Sequence, residues 1–201
     1  MQLIGMLDSP YVRRVAISLH LLELPFEHQP LSVFSTFEQF RAINPVVKAP
    51  TLVCDDGSVL MDSSLILEYV ESLGGRSLMP NDLAARREVL RLTGLALAAC
   101  EKSVQIVYEQ RLRPAEKQHQ PWLDRVQGQL LSAYGLLEQA VESAPPPLAP
   151  QQISQAGVSV AVAWAFTQHV LPGVVSPERH PALQAFSEQA EQLAAFRACP
   201  Q

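Results

Sequence analysis

Residues 2–33 read QLIGMLDSPYVRRVAISLHLLELPFEHQPLSV, and this stretch decides how the chain starts to fold. Gln2 to Leu7 is short and apolar. It ends in Asp8-Ser9-Pro10, which sets candidate N-caps just ahead of a proline suited to the first helical position, so a helix should begin near Pro10. Val12, Val15, Ala16, Leu19 and Leu22 then recur at helical spacing, and Pro25 leads into an extended run from Phe26 to Val33. The order is strand, helix, strand. A crossover of this kind joins parallel strands.

Further along, a second helix is expected from Thr36 to Ile43, stopped by Asn44-Pro45 because the residue before proline is pushed out of helical backbone. Thr51 to Cys54 and Ser58 to Met61 flank Asp55-Asp56-Gly57 as an antiparallel hairpin. Asp62-Ser63 caps a third helix whose apolar face is read as Leu65, Ile66, Tyr69, Val70 and Leu73, closed by Gly74-Gly75. The sum is β-α-β-α-β-β-α, a mixed sheet with helices on both faces.

After about residue 80 strand signals stop, and a boundary is expected near residues 74–81. A long helix runs from the Asn81-Asp82 cap towards Pro114, and a second follows Pro121 and ends at Pro145-Pro146-Pro147. Val158 to Phe166 is apolar almost all round, as in a helix buried inside a bundle, and a last helix spans Pro181 to Ala195. The reading is an α/β domain over residues 1–76 and an all-α domain over residues 82–201.

Composition narrows the partners. The 201 residues are 48% hydrophobic, enough for a substantial core, and carry a formal charge of −5, which argues against nucleic acid or an anionic membrane as ligand. No window reaches the roughly 18 apolar residues of a spanning helix, and the start lacks the pattern of an export leader. Cys54, Cys100 and Cys199 are odd in number, far apart and without metal-ligand spacing, so a reducing compartment and no metal are expected. The five histidines show no partner spacing, and Trp164 reads as core.

Three places could carry chemistry. Ser9-Pro10 lies where free backbone N–H groups and the helix dipole favour an anion, although Ser-Pro at a helix start is by itself usually only a cap. Lys48-Ala49-Pro50-Thr51-Leu52 sets a proline just before a strand; if Pro50 is cis, the backbone of Ala49 faces outward and can pair with an extended peptide. Asp62-Ser63 offers helix-start donors for a carboxylate and a side chain for an ammonium group, and it too is by itself usually a cap.

The order and spacing of Ser9-Pro10-Tyr11-Val12-Arg13-Arg14, the run from Asn44 to Leu52, and the run from Asp62 to Tyr69 resemble the cytosolic glutathione transferases, across nearly the whole chain. The resemblance implies a thioredoxin-like N-terminal domain followed by a helical bundle. It also implies a cis Pro50, an Ala49 backbone paired with the glutathione cysteine, Asp62 and Ser63 on the γ-glutamyl end, and Lys48 near the glycyl carboxylate. The Ser-Pro-aromatic start looks most like the serine-type and omega-like branches, with Ser9 as the catalytic position. A hydroxyl there can donate to a thiolate but cannot form a mixed disulfide, which favours conjugation or isomerisation over reductase chemistry. Tyr11, Tyr108 and Arg111 are the implied acceptor-substrate residues, with a small electrophile as second substrate.

A homodimer completes what the resemblance implies, and a cytoplasmic location without a metal is expected from the cysteines and the chain start. An isomerase, a dehalogenase or a non-catalytic glutathione-binding module uses the same scaffold. One departure stands out: many family members have an acidic residue three positions after the cap of the buried helix, whereas here Ser154 is followed by Gly157.

Overall fold

In the computed structural model, which describes residues 1–201, β1 (Gln2–Ile4), α1 (Pro10–Leu21), β2 (Glu27–Gln29), α2 (Phe37–Ile43), β3 (Thr51–Val53), β4 (Val59–Met61) and α3 (Ser63–Glu71) follow in the expected order. The strands pair as β2-β1-β3-β4, with β1 parallel to β2 and the other two pairings antiparallel. Ile4 pairs with Thr51, and Thr51 with Met61. The chain therefore leaves β1, enters β3 and leaves β4 at one end of the sheet. Leu3, Ile4, Val12, Val15, Ile17, Leu19, Phe40, Leu52, Ile66 and Val70 are wholly buried, each such side chain contributing about 1.5–3 kcal/mol.

The strands are shorter than the sequence suggested. β1 stops at Ile4 because Gly5 turns the backbone to φ +139, and β2 stops before Pro30, which has no N–H to give a ladder. The third helix is also rotated from expectation: α3 buries Ile66 and Val70 as expected, with Ser63 and Leu67, but leaves Leu65 and Tyr69 exposed, and Leu73 lies exposed beyond its end. The last predicted helix divides into α7 (Pro181–Glu191) and α8 (Ala194–Arg197), because Leu193 adopts extended backbone between them.

Two units result, Met1–Leu78 together with Gln192–Gln201, and Met79–Glu191. The sequence boundaries place the final ten residues with the helical domain; here they join the first unit. Arg13, 2% exposed, explains it: its Nε donates to the carbonyl of Cys199 at 2.8 Å and its guanidinium lies 5.9 Å over the Phe196 ring. A helix that buries consecutive residues from Val12 to Leu19 needs cover on more than its sheet side.

The second unit contains α4 (Leu83–Leu112), α5 (Gln120–Ser143), α6 (Gln155–Val170) and α7. The Asp82 side chain caps α4, accepting from the N–H of Ala85 at 2.8 Å. α6 is buried over Gln155–Trp164, as its apolar sequence requires. Thr167 near its end is paired: the Tyr134 hydroxyl lies 2.8 Å from the Ala163 carbonyl and 2.7 Å from Thr167 Oγ1, which in turn pairs with Ser103 Oγ at 2.8 Å. Ser154 makes no side-chain cap bond. The start of α6 rests instead on packing, with Ile153 only 3.1 Å from where a Cβ on Gly157 would stand.

Candidate functional site

The shared end of the sheet gathers three loops, and each owes its shape to local sequence. After β1, Ser9 caps α1, its Oγ accepting from the N–H of Val12 at 3.4 Å. That bond is long. The hydroxyl is held only loosely, and it stands at the positive end of a twelve-residue helix.

Before β3, the Ala49–Pro50 peptide is cis. Asn44 braces this loop from both sides: its Oδ1 accepts from the N–H of Val46 at 3.0 Å, and its Nδ2 donates to Thr51 Oγ1 at 2.8 Å. Thr51 Oγ1 in turn donates to the Lys48 carbonyl at 2.7 Å. Val47, a β-branched residue, sits at φ +52, where such side chains are strained, so the brace holds a loop that would otherwise relax. No backbone hydrogen bond of the fold uses the N–H or C=O of Ala49.

After β4, Asp62 takes φ +73 and caps α3, its Oδ1 accepting from the N–H of Ser64 at 2.9 Å. Its second oxygen lies 4.0 Å from Lys48 Nζ, with both side chains about half exposed. A pair of this kind contributes at most about 1 kcal/mol, so either charge can turn to a ligand at small cost. Ser63 is buried beneath it.

Three residues to which the sequence assigns no site role bring the loops together. Gly5 is one: a Cβ there would lie 2.6 Å from Val12 Cγ2 and 3.3 Å from the Ala49 Cβ, so its missing side chain lets α1 and the proline loop close on β1. Arg14, 3% exposed, is the second; its Nη1 donates to Ser63 Oγ at 3.1 Å and to Ser64 Oγ at 3.3 Å. Asn44 is the third, a helix stop and part of the Asn44–Leu52 run in the sequence, and here a brace of the loop. The positive φ of Gly5 has a sequence signal in the glycine itself, whereas nothing in the sequence marks Arg14 as buried.

Ser9, Lys48, Ala49, Pro50, Asp62 and Ser63 thus share one end of the first unit, where Tyr11 is half-buried on α1. Tyr108 and Arg111 belong to the second unit. Tyr108 is 44% exposed on α4, and burial of the rest raises its phenol above the ordinary 10.0, while Arg111 Nη2 donates to the Val170 carbonyl at 3.1 Å. A separate open groove of about 600 Å³ between α4 and α5 is lined by Leu95, Arg125, Gln129, Ser132 and Leu136, none of them a predicted site residue. No group of three or more His, Cys, Asp or Glu side chains is placed to hold a metal ion, and no helix is long and apolar enough to cross a membrane.

The site can be set beside known proteins. Residues 3–77 match the family model for the glutathione S-transferase N-terminal domain. A glutathione transferase family member from Pseudomonas fluorescens Pf-5, solved with bound glutathione, is 31% identical over 98% of this chain and 97% of its own, with a TM-score of 0.84. A glutathione S-transferase from Methylobacterium radiotolerans, in complex with glutathione sulfonate, is 23% identical over 98% and 93% of the two chains with a TM-score of 0.89, a likeness of fold. The uncharacterized GST-like protein YibF of Escherichia coli K12 is 29% identical over 69% of this chain and 68% of its own.

Proposed function

The chain belongs to the glutathione transferase family, and from that premise we propose that it binds glutathione at the shared sheet end and stabilises its thiolate for attack on small electrophiles. The observation that carries this reading is the pairing of Ile4, Thr51 and Met61, which brings the Ser9, Ala49 and Asp62 loops to one place. In this reading the outward N–H and C=O of Ala49 pair with the cysteinyl residue as with one more strand. Asp62 takes the γ-glutamyl ammonium, Ser63 and the α3 start take its carboxylate, and Lys48 takes the glycyl carboxylate.

The sulfur then lies beside Ser9 at the α1 N-terminus. A hydrogen bond to a charged group contributes about 1.5–3 kcal/mol, which lowers a thiol pKa of about 8.5 by roughly one to two units. The thiolate is the nucleophile, so no general base is needed once the proton has left. Tyr11, Tyr108 and Arg111 are assigned to the acceptor substrate. Three buried cysteines, none of them in a disulfide, suit a reducing, cytoplasmic setting.

Retention on glutathione-agarose followed by turnover of an activated aryl halide tests the reading. Absence of retention sinks the ligand assignment. Retention without conjugation turns the assignment to an isomerase, a dehalogenase or a binding module.

A homodimer is part of the same reading. Exposed Leu65 and Tyr69 on α3, Leu73 just past its end, and Leu131 and Leu136 on α5 beside the open groove are apolar surface of the kind that subunits cover. Light scattering should give twice the chain mass for the wild type and a shift to monomer for Leu65→Asp; a monomeric wild type would refute it.

A further inference from the structure

Gly5 is buried where β1 gives way to the loop that carries Ser9, and its N–H donates to the Gln29 carbonyl at 3.0 Å. The parallel pairing with β2 thus reaches one residue past β1. A further step of the same ladder would bring the N–H of Leu31 to the Gly5 carbonyl. Beyond Pro30, however, Leu31 turns its N–H onto the Gln29 carbonyl at 2.8 Å. No backbone N–H then serves the Gly5 carbonyl, and a buried carbonyl without a donor is costly. The His28 side chain supplies the donor: its Nε2 lies 2.8 Å from that oxygen. A carbonyl only accepts, so Nε2 carries the proton, and it donates equally as neutral imidazole or as imidazolium.

Peptide planarity decides what this bond controls. The Gly5 oxygen and the Met6 N–H belong to one rigid unit, so holding the oxygen sets ψ of Gly5 and with it the heading of the loop. Glycine does not set that angle for itself. At φ +139 it stands in a region that other residues rarely enter, and without a Cβ its own sterics restrain ψ little. One further bond closes the loop, the Ser9 N–H donating to the Met6 carbonyl at 3.2 Å; the Ser9 carbonyl then opens α1 by accepting from the Arg13 N–H at 2.9 Å. The Ser9 cap bond to Val12, 3.4 Å long, places the hydroxyl only weakly. Ser9 is therefore located by α1 on one side and, on the other, by the peptide plane that His28 holds.

We propose that His28 is a positioning residue for the sulfur site: by donating to the Gly5 carbonyl, its ring aims the Gly5–Ser9 loop so that the Ser9 hydroxyl meets the glutathione sulfur. The proposal rests on the glutathione reading above. In this role His28 makes no contact with the sulfur; it acts through Gly5 and Ser9.

Two substitutions test it. His28→Phe keeps a ring and removes the donor, whereas His28→Gln sets an amide N–H at the reach of Nε2. The readouts are the pKa of the bound thiol, followed by thiolate absorbance in the ultraviolet, and the glutathione Kd near pH 5, where the thiol is protonated. His28→Phe should raise the bound-thiol pKa by about half a unit or more, a roughly threefold loss of thiolate below that pKa, and leave Kd within about twofold. His28→Gln should bring the pKa back to within about 0.2 units of the wild type. In the Ser9→Ala background His28→Phe should add nothing. A merely structural role would lower the urea midpoint or weaken binding with the thiol pKa unmoved, and that result overturns the proposal. So does a pKa rise that His28→Gln fails to reverse, or one that persists in Ser9→Ala. Should His28→Phe fail to fold, His28→Asn, whose amide is too short to reach the carbonyl, takes its place against His28→Gln. A wild type that does not bind glutathione fells the glutathione reading and this proposal with it. A wild type that binds, with a thiol pKa indifferent to His28, leaves that reading standing and fells the proposal alone.

Discussion

The Nε of Arg13 donates to the carbonyl of Cys199 at 2.8 Å, joining residues 186 positions apart inside the first unit. The bond is buried and charge-assisted, and Phe196 covers the guanidinium. Arg13→Met keeps the apolar stem and removes the donor. It should cost about 1.5–3 kcal/mol, read as a lower urea midpoint at unchanged slope. A loss of less than about 0.5 kcal/mol would show that the tail is held by its apolar contacts alone.

Cys199 itself supplies a pH dependence. Burial raises its thiol from 9.0 to about 11, with the Arg13 charge pulling the other way. The folded pKa lies above the unfolded one, so the unfolded chain releases this proton first. The contribution is fully present below about pH 9 and is lost as pH climbs to about 11. The stability of the wild type minus that of Cys199→Ala should therefore fall across that window. A difference that stays flat would contradict it.

Gly5→Ala should damage both stability and ligand binding. The added methyl would stand 2.6 Å from Val12 Cγ2 on a backbone at φ +139, and relieving it pushes α1 or the Ala49 loop away. Overpacking costs about 1–3 kcal/mol. Gly57→Ala is the control: φ is +82 but nothing lies within 4 Å, so it should carry backbone strain only and leave glutathione affinity intact. Equal losses of affinity in the two variants would disprove the close-approach role of Gly5.

Ser9→Ala separates capping from chemistry. Because the cap bond to Val12 is 3.4 Å long, the stability cost should sit at the low end of cap effects, about 0.5 kcal/mol. The pKa of bound glutathione, followed by thiolate absorbance in the ultraviolet, should rise by roughly one to two units with little change in affinity. An unmoved pKa would mean that the helix end alone activates the sulfur.

Glu138 caps α7 from a different helix, its carboxylate accepting from the N–H groups of Ala182 and Leu183 at 2.8 and 2.9 Å. Removing it in Glu138→Ala leaves two donors unpaired at a helix start, and should lower stability by about 1–2 kcal/mol without altering the bound thiol pKa. A stability within about 0.5 kcal/mol of the wild type would show that water replaces the cap.

Much of this was legible beforehand where a residue acts on its own neighbours. Pro10 after Ser9, Asp62 before Ser63 and Asp82 before Leu83 marked three helix starts because capping is settled within a few residues. α6 announced its burial because no face of it is polar. The α3 face was misjudged for the complementary reason: Leu65, Tyr69 and Leu73 share helical spacing with the buried stripe, and periodicity cannot say which of two apolar faces the sheet will cover.

The order of elements, the two-part organisation and the residues at the three loops can be read along the chain, since propensity, capping and turn chemistry are local. Folding alone puts Ile4, Thr51 and Met61 in line, lets α1 and the Ala49 loop close on β1 over Gly5, and buries Arg13 and Arg14 against different partners. Each of those facts needs at least one partner far off in the chain, from Ala49 beside Gly5 to Cys199 beside Arg13. A buried arginine looks like any other in the sequence, because what makes burial tolerable is the acceptor that folding brings to it.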